Sequence, residues 1–217
     1  MRGQCEAPLG GLIPGLIPGL ILGAGNRRAT RCIVPPRRIA GAFNQLAEVP
    51  LFNQTISQFS KVLNNLSHCL DKAAEFAAHK KFKSEILLSA RLVPDQFALV
   101  RQVQIACDNA KFAAARLTGK EAPSHPDTEQ TIDELKARIQ SVVGYLATFT
   151  PDDFAGSAER RVGLVYWGGK TLSGEEYVEQ YLVPNFYFHA VTAYAIMRHN
   201  GVDLGKMDFL GSLPLAG

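Results

Sequence analysis

From Phe52 to Ala77 the apolar residues fall at alternating intervals of four and three: Phe52, Ile56, Phe59, Leu63, Leu66, Leu70, Ala73 and Ala77. An α-helix turns once in about 3.6 residues, so this spacing gathers the side chains onto one stripe. A stripe of that length is hidden from water most economically against other helices, which points away from a sheet-based fold. The same rhythm returns twice. Val100, Val103, Cys107, Ala110, Ala114 and Leu117 form a second seam, in a helix expected to begin near Pro94 and to stop at Gly119. Ile132, Leu135, Ile139, Val142, Leu146 and Phe149 form a third, opened by the capping box Thr131-Ile132-Asp133-Glu134. Between the first two, Ser84 to Leu88 reads as a short helical connector.

The period then changes. Arg161 to Trp167 is a β-prone run, Gly168-Gly169 is a turn signal, and Lys170 to Ser173 can return as a short strand. Ser173-Gly174-Glu175-Glu176 caps a fourth helix, expected to end at Asn200-Gly201 and to kink at Pro184, just before Asn185. Four amphipathic helices predict an all-α fold: a four-helix bundle, antiparallel or crossover, with a small β-hairpin between helices three and four. A chain of 217 residues suits one well-buried domain, assigned to residues 46–217.

Residues 1–45 differ in character. They carry six arginines against one glutamate, and a tandem Leu-Ile-Pro-Gly whose prolines and glycines spoil a membrane helix. They read as a disordered extension outside the domain, with a targeting segment as the alternative. Removing them leaves 17 basic and 19 acidic side chains in residues 46–217, no electrostatic case for nucleic acid or an acidic membrane. Cys5, Cys32, Cys69 and Cys107 lie far apart without a C-x-x-C pair, which fits reduced thiols in a cytoplasmic protein.

Phosphate-binding glycine loops, nucleophile elbows and H-E-x-x-H or S-x-x-K motifs do not occur. What chemistry remains lies on the fourth helix. Asn185, His189, Thr192 and Ile196 share one stripe, so Asn185 and His189 can grip the same ligand, ion or water. Imidazole can bind a metal or carry a proton near neutral pH, although a histidine in a bundle is more often a hydrogen-bonded core residue. On the second helix Arg101, Gln104, Asp108 and Lys111 form a polar stripe. It reads either as a solvated face of charge pairs or as the opposite wall of a cavity, with Asp108 orienting the imidazole. Trp167 beside the double glycine reads as a lid on a pocket or as a hairpin aromatic packed on the bundle.

Pro184 to His189, Tyr194, Arg198 to Val202 and Asp208 to Gly211 resemble the closing signature of the domain-of-unknown-function family nineteen-ninety-three, within the DinB/YfiT-like superfamily of helical bundles. Ala90-Arg91-Leu92, Pro94 to Phe97 and Val100 to Asp108 extend the resemblance, which covers about residues 48–211. It implies a four-helix bundle, commonly dimeric. Many members of the superfamily hold a divalent metal through three histidines, and some act as thiol-dependent transferases or hydrolases. Their last bundle helix carries H-x-x-x-H; here His189 matches the second histidine, Asn185 stands at the first, and helix two has none.

Two readings follow. In one, the chain is a divalent-metal-dependent enzyme of hydrolase or thiol-transferase type with a degenerate ligand set. His189 would be ligand or general base, Asp108 its orienting carboxylate or a second ligand, Arg101 an anion clamp, and Asn185, Gln104, Tyr187 and Trp167 ligand-binding residues. In the other, favoured because ligand count is the sharper test of a metal site, the same polar groups form a structural network or small-ligand pocket in a homodimer.

Overall fold

In the computed structural model, which describes residues 50–215, the first seam becomes helix α1, Gln58–Lys80, entered through a π-helical turn at Asn53–Ser57. Phe59, Leu63, Leu66, Leu70, Ala73 and Ala77 are all buried. The helix stops where Lys81 turns left-handed (φ 61°) and the Phe82 N–H bonds the Ala77 carbonyl, closing the last turn. The connector forms as α2, Glu85–Leu88.

Helix α3, Leu99–Thr118, begins at Leu99 and not near Pro94. Pro94 belongs to a turn in which the Gln96 N–H reaches the Val93 carbonyl, and Leu99 donates back to the carbonyl of Ala90. Those tertiary bonds hold Ala98 extended, so the helix cannot start earlier. Its end is as predicted, at Gly119 with φ 78°. Helix α4, Ile132–Leu146, opens on the expected capping box: Thr131 Oγ1 accepts the Glu134 N–H at 3.1 Å, and Glu134 Oε2 accepts the Thr131 N–H at 3.0 Å.

The hairpin is shorter than its β-prone sequence suggests. Strand β1, Val162–Gly163, pairs antiparallel with β2, Thr171–Leu172, and a 3₁₀ turn at Val165–Trp167 replaces the rest of the first strand. Ser173 then caps α5, Gly174–Tyr177, which runs through a π-helical turn at Val178–Leu182 into α6, Val183–His199. Pro184 has no N–H for the helical ladder, and its ring crowds the carbonyl four residues back. The wide turn directly before it gives relief, with the Val183 N–H passing to the Val178 carbonyl. A last helix, α7, Lys206–Leu210, lies on α1, tied by Asn65 to the Phe209 carbonyl (2.9 Å) and by Lys72 to Asp208 (2.9 Å).

Helices α1, α3, α4 and the α5–α6 unit form the four-helix bundle, with α3 packed against α1, α4 and α6. Pairs from Gln102–His189 through Asn109–Asn185 to Arg116–Tyr177 run in opposite chain directions, so α3 and α6 are antiparallel. Among the described residues no helix is long and apolar enough to cross a membrane. The readings made for residues 1–45 lie outside the described residues.

One close approach sets the hairpin against the bundle. A Cβ on Gly174, at the start of α5, would lie 1.8 Å from the carbonyl oxygen of the buried Ser157. Backbone cannot yield as a flexible side chain can, so Gly174→Ala is expected to cost about 3 kcal/mol. Urea unfolding will show this as a lower midpoint at unchanged slope.

Candidate functional site

At roughly 100° per residue, Gln102 and Gln104 leave α3 on nearly opposite sides. Gln102 and Asn109, two turns apart, face α6; Gln104, Asp108 and Lys111 face α4 and the loop of residues 119–131. The polar residues of α3 therefore belong to two separate networks.

The first contains His189, only 7% exposed, with Nδ1 2.7 Å from Oε1 of the fully buried Gln102. Gln102 Nε2 donates to the Phe97 carbonyl at 3.0 Å. A carbonyl only accepts, which fixes the amide orientation and leaves the acceptor Oε1 facing the imidazole. The proton must then sit on Nδ1, with a lone pair on Nε2. Burial, and secondarily the charge of Arg101, hold the His189 pKa below its ordinary value, so the ring is neutral.

One turn earlier, Asn185 Nδ2 donates to Asn109 Oδ1 at 2.9 Å and lies 3.4 Å from the Tyr181 hydroxyl, which meets that of Tyr166. The amide nitrogen of Asn109, 7% exposed, is buried without a partner. Arg116 completes the series by donating to the Tyr177 hydroxyl at 3.0 Å. Trp167 packs edge-on against Tyr181, ring centroids 5.3 Å apart, and borders an open cavity of about 370 Å³ with Lys170, Thr171 and Leu172. Tyr187 packs on Phe59 and Phe186 and borders a cavity of about 300 Å³ with Gln54, Gln58, Glu179 and Val183.

The second network takes the residues expected opposite His189. Asp108 pairs with Arg138 (2.8 Å) and Lys111 (2.9 Å). Gln104 donates to Glu129 at 2.8 Å and accepts from Arg101 at 3.3 Å, while Arg101 is ion-paired with Asp127. The group that orients His189 is thus Gln102, not Asp108, and the Arg101 guanidinium is committed to a carboxylate rather than poised as an anion clamp. Arg138 is the hub of this second network, its side chain 1% exposed against Asp108, Asp127 and Glu129. Its hydrogen bond helps to keep the Glu129 carboxyl below its usual range against the opposing effect of burial.

Gln102, Asn109 and Arg138 are the important residues that sequence reasoning missed. A signal existed: Gln102 and Asn109 sit seven residues apart among Ala106, Ala110 and Ala113, small residues that let another helix approach. The two thiols among the described residues are poor nucleophiles, because burial pushes Cys107 up to about 12 and Cys69 up to about 11.

The arrangement does not fit a divalent metal. Among the described residues no three histidine, cysteine, aspartate or glutamate side chains converge as a metal requires. His189 offers one lone pair, and the Asn185 amide is turned to Asn109. What these groups can do is accept or donate hydrogen bonds in a nearly dry setting.

The His189 tautomer is directly testable. With its folded pKa lowered, the unfolded chain takes up the proton first, so this residue draws stability down as pH falls below its ordinary value of 6.5. Nitrogen NMR is expected to show a predominantly Nδ1–H neutral ring at a pH of about 7. Gln102→Glu, placing a carboxylate on that N–H, is expected to make the ring cationic at the same pH.

A solved structure described as a DinB family member protein from Shewanella denitrificans is 48% identical to this chain, covering 80% of it and 99% of that chain, with a TM-score of 0.78. A comparison with the curated proteins gave no match. Residues 51–210, nearly all of the bundle just described, match the family whose description reads "Domain of unknown function (DUF1993)". The fold, the closing signature and the match agree, and the chain belongs to that family, with a DinB-like four-helix bundle.

Proposed function

We propose that this chain is a DinB-like bundle protein whose polar seam around His189 binds a small ligand or specifies packing, without catalysis and without a bound divalent metal. One observation carries the proposal: the His189 Nδ1 and the Asn185 amide are spent on Gln102 and Asn109 of the facing helix. The unpartnered Asn109 nitrogen and the Nε2 lone pair of His189 favour a small polar ligand over packing alone. Phe188 and Val191, on the outer side of α6 and 56% and 47% exposed, supply apolar surface for the homodimer that we include in the proposal. We place the dimer in the cytoplasm, in keeping with the two free, buried thiols among the described residues.

The alternative, a metal-dependent hydrolase or thiol transferase with a degenerate ligand set, rests on the same Nε2 lone pair, which a metal would take. Elemental analysis of untagged protein, beside His189→Ala, separates the two. We expect no stoichiometric metal in either protein. The variant leaves Gln102 Oε1 buried and unpaired, a loss of about 1–3 kcal/mol. At about 2–4 °C per kcal/mol, its melting temperature should fall by several degrees. One equivalent of a divalent metal in the parent, lost in the variant, would establish the metal enzyme instead.

A further inference from the structure

The connection from α3 to α4, residues 119–131, contains no buried residue, yet it lies against the bundle. Polar bonds hold it there. Tyr145 donates to the Glu121 carbonyl (2.9 Å), Arg138 to the Pro126 carbonyl (3.2 Å), and Asp127 and Glu129 reach Arg101, Gln104 and Arg138. The charges in this cluster balance, with Arg101, Lys111 and Arg138 against Asp108, Asp127 and Glu129.

His125 sits at the middle of the loop and is bonded at both ring nitrogens. Nδ1 is 3.3 Å from Lys111 Nζ, and Nε2 is 2.9 Å from Ser141 Oγ on α4. An ammonium has only donors, so Nδ1 must accept and the single ring proton must point from Nε2 to Ser141. A second proton on the ring would set donor against donor and cation against cation, with Arg138 adding to the repulsion. Lys111 cannot easily step aside, because it is 3% exposed and paired with Asp108 at 2.9 Å. The groups that face the ring are thus Lys111 and Asp108 from α3, Arg138 and Ser141 from α4, and Asp127 and Glu129 from the loop.

We propose that residues 119–131 form an acid-released latch: protonation of His125 frees the loop from the bundle and exposes the Asp108–Arg138 cluster, while the helices stay folded. Burial, Lys111 and Arg138 lower the affinity of His125 for a proton in the closed state, with Asp108 and Glu129 opposing them. The sign follows. The open loop binds the proton more readily, so its population rises as pH falls below about 6.5, by up to about tenfold per pH unit. Glu129, lowered from 4.5, keeps its charge through this window.

A glutamate-specific protease reads the latch, because cleavage after Glu129 needs the loop free of Arg138 and Gln104. The rate in the full chain is divided by that of a free peptide of the same loop sequence at each pH, which removes the protease's own pH dependence. Between pH of about 7 and 5.5 we expect the ratio to rise severalfold, up to about eightfold, and to stay flat in His125→Gln, whose amide can replace both bonds without taking a proton. Cleavage after Glu75, in the middle of α1, should not follow. A flat ratio in the parent, an equal rise in His125→Gln, or an equal rise at Glu75 would each overturn the latch. Should His125→Gln fail to fold, Lys111→Met decides: a weakened rise supports the latch, and an unchanged one refutes it.

Discussion

A helix surrounded by its neighbours has no outer face on which to leave a polar side chain. That is the condition of α3, which buries Gln102, Gln104, Asn109 and Lys111 together with its apolar seam. Each of these groups needs a partner inside the protein, because an orphaned one costs about 1–3 kcal/mol. The rest of the structure answers that demand. Helix α6 supplies His189 and Asn185 on one side, and α4 with its preceding loop supplies Arg138, Glu129 and Asp127 on the other. The two sides differ in kind. Towards α6 the partners are neutral amides and an imidazole, which cost little to dehydrate. Towards α4 they are full charges, held where some water still reaches the carboxylates.

Legibility in the sequence followed the range of the interactions concerned. The seams of α1, α3 and α4, the capping boxes at Thr131 and Ser173, and the stop at Gly119 all depend on neighbours within a few residues, and all were readable. The start of α3 was not, because it is set by a bond from Leu99 to Ala90 that no local rule contains. The hairpin strand failed likewise: Val165 to Trp167 has β-prone residues, but Gly168 and Gly169 both take positive φ and the chain curls before a ladder can lengthen. At the site, His189 is buried and Asn185 half-buried, and both turn towards α3 from one stripe of α6. Of the two readings of the α3 polar stripe, charge pairing is seen in Asp108–Lys111, whereas a wall opposite His189 lies on the wrong side of α3. The visible run of charge at Arg101, Asp108 and Lys111 drew attention from the quieter Gln102 and Asn109, and only the packing decides which stripe meets α6.

Membership of the DUF1993 family and a DinB-like fold therefore leave the chemistry open in an informative way. Here the facing helices α3 and α6 bring two carboxamides together, Asn109 and Asn185. Asn185 donates to Asn109 Oδ1 and so ties the helices in register without an ion, while the Asn109 nitrogen is left without a partner. That economy suits a protein that must be specific in its packing whether or not it also receives a guest.

The π-helical turn at Val178–Leu182 has a geometric consequence beyond relieving Pro184. Tyr177, Tyr181, Asn185 and His189 are spaced by four, and in an uninterrupted α-helix each such step drifts by roughly 40° around the axis. Three steps would carry His189 about a third of a turn away from Tyr177, and the two could not both address α3. A wider turn advances each residue by less, and so winds part of that drift back. The bulge thus works as a phase correction, keeping a four-residue repeat pointed at a partner whose own residues, Gln102, Asn109 and Arg116, repeat every seven.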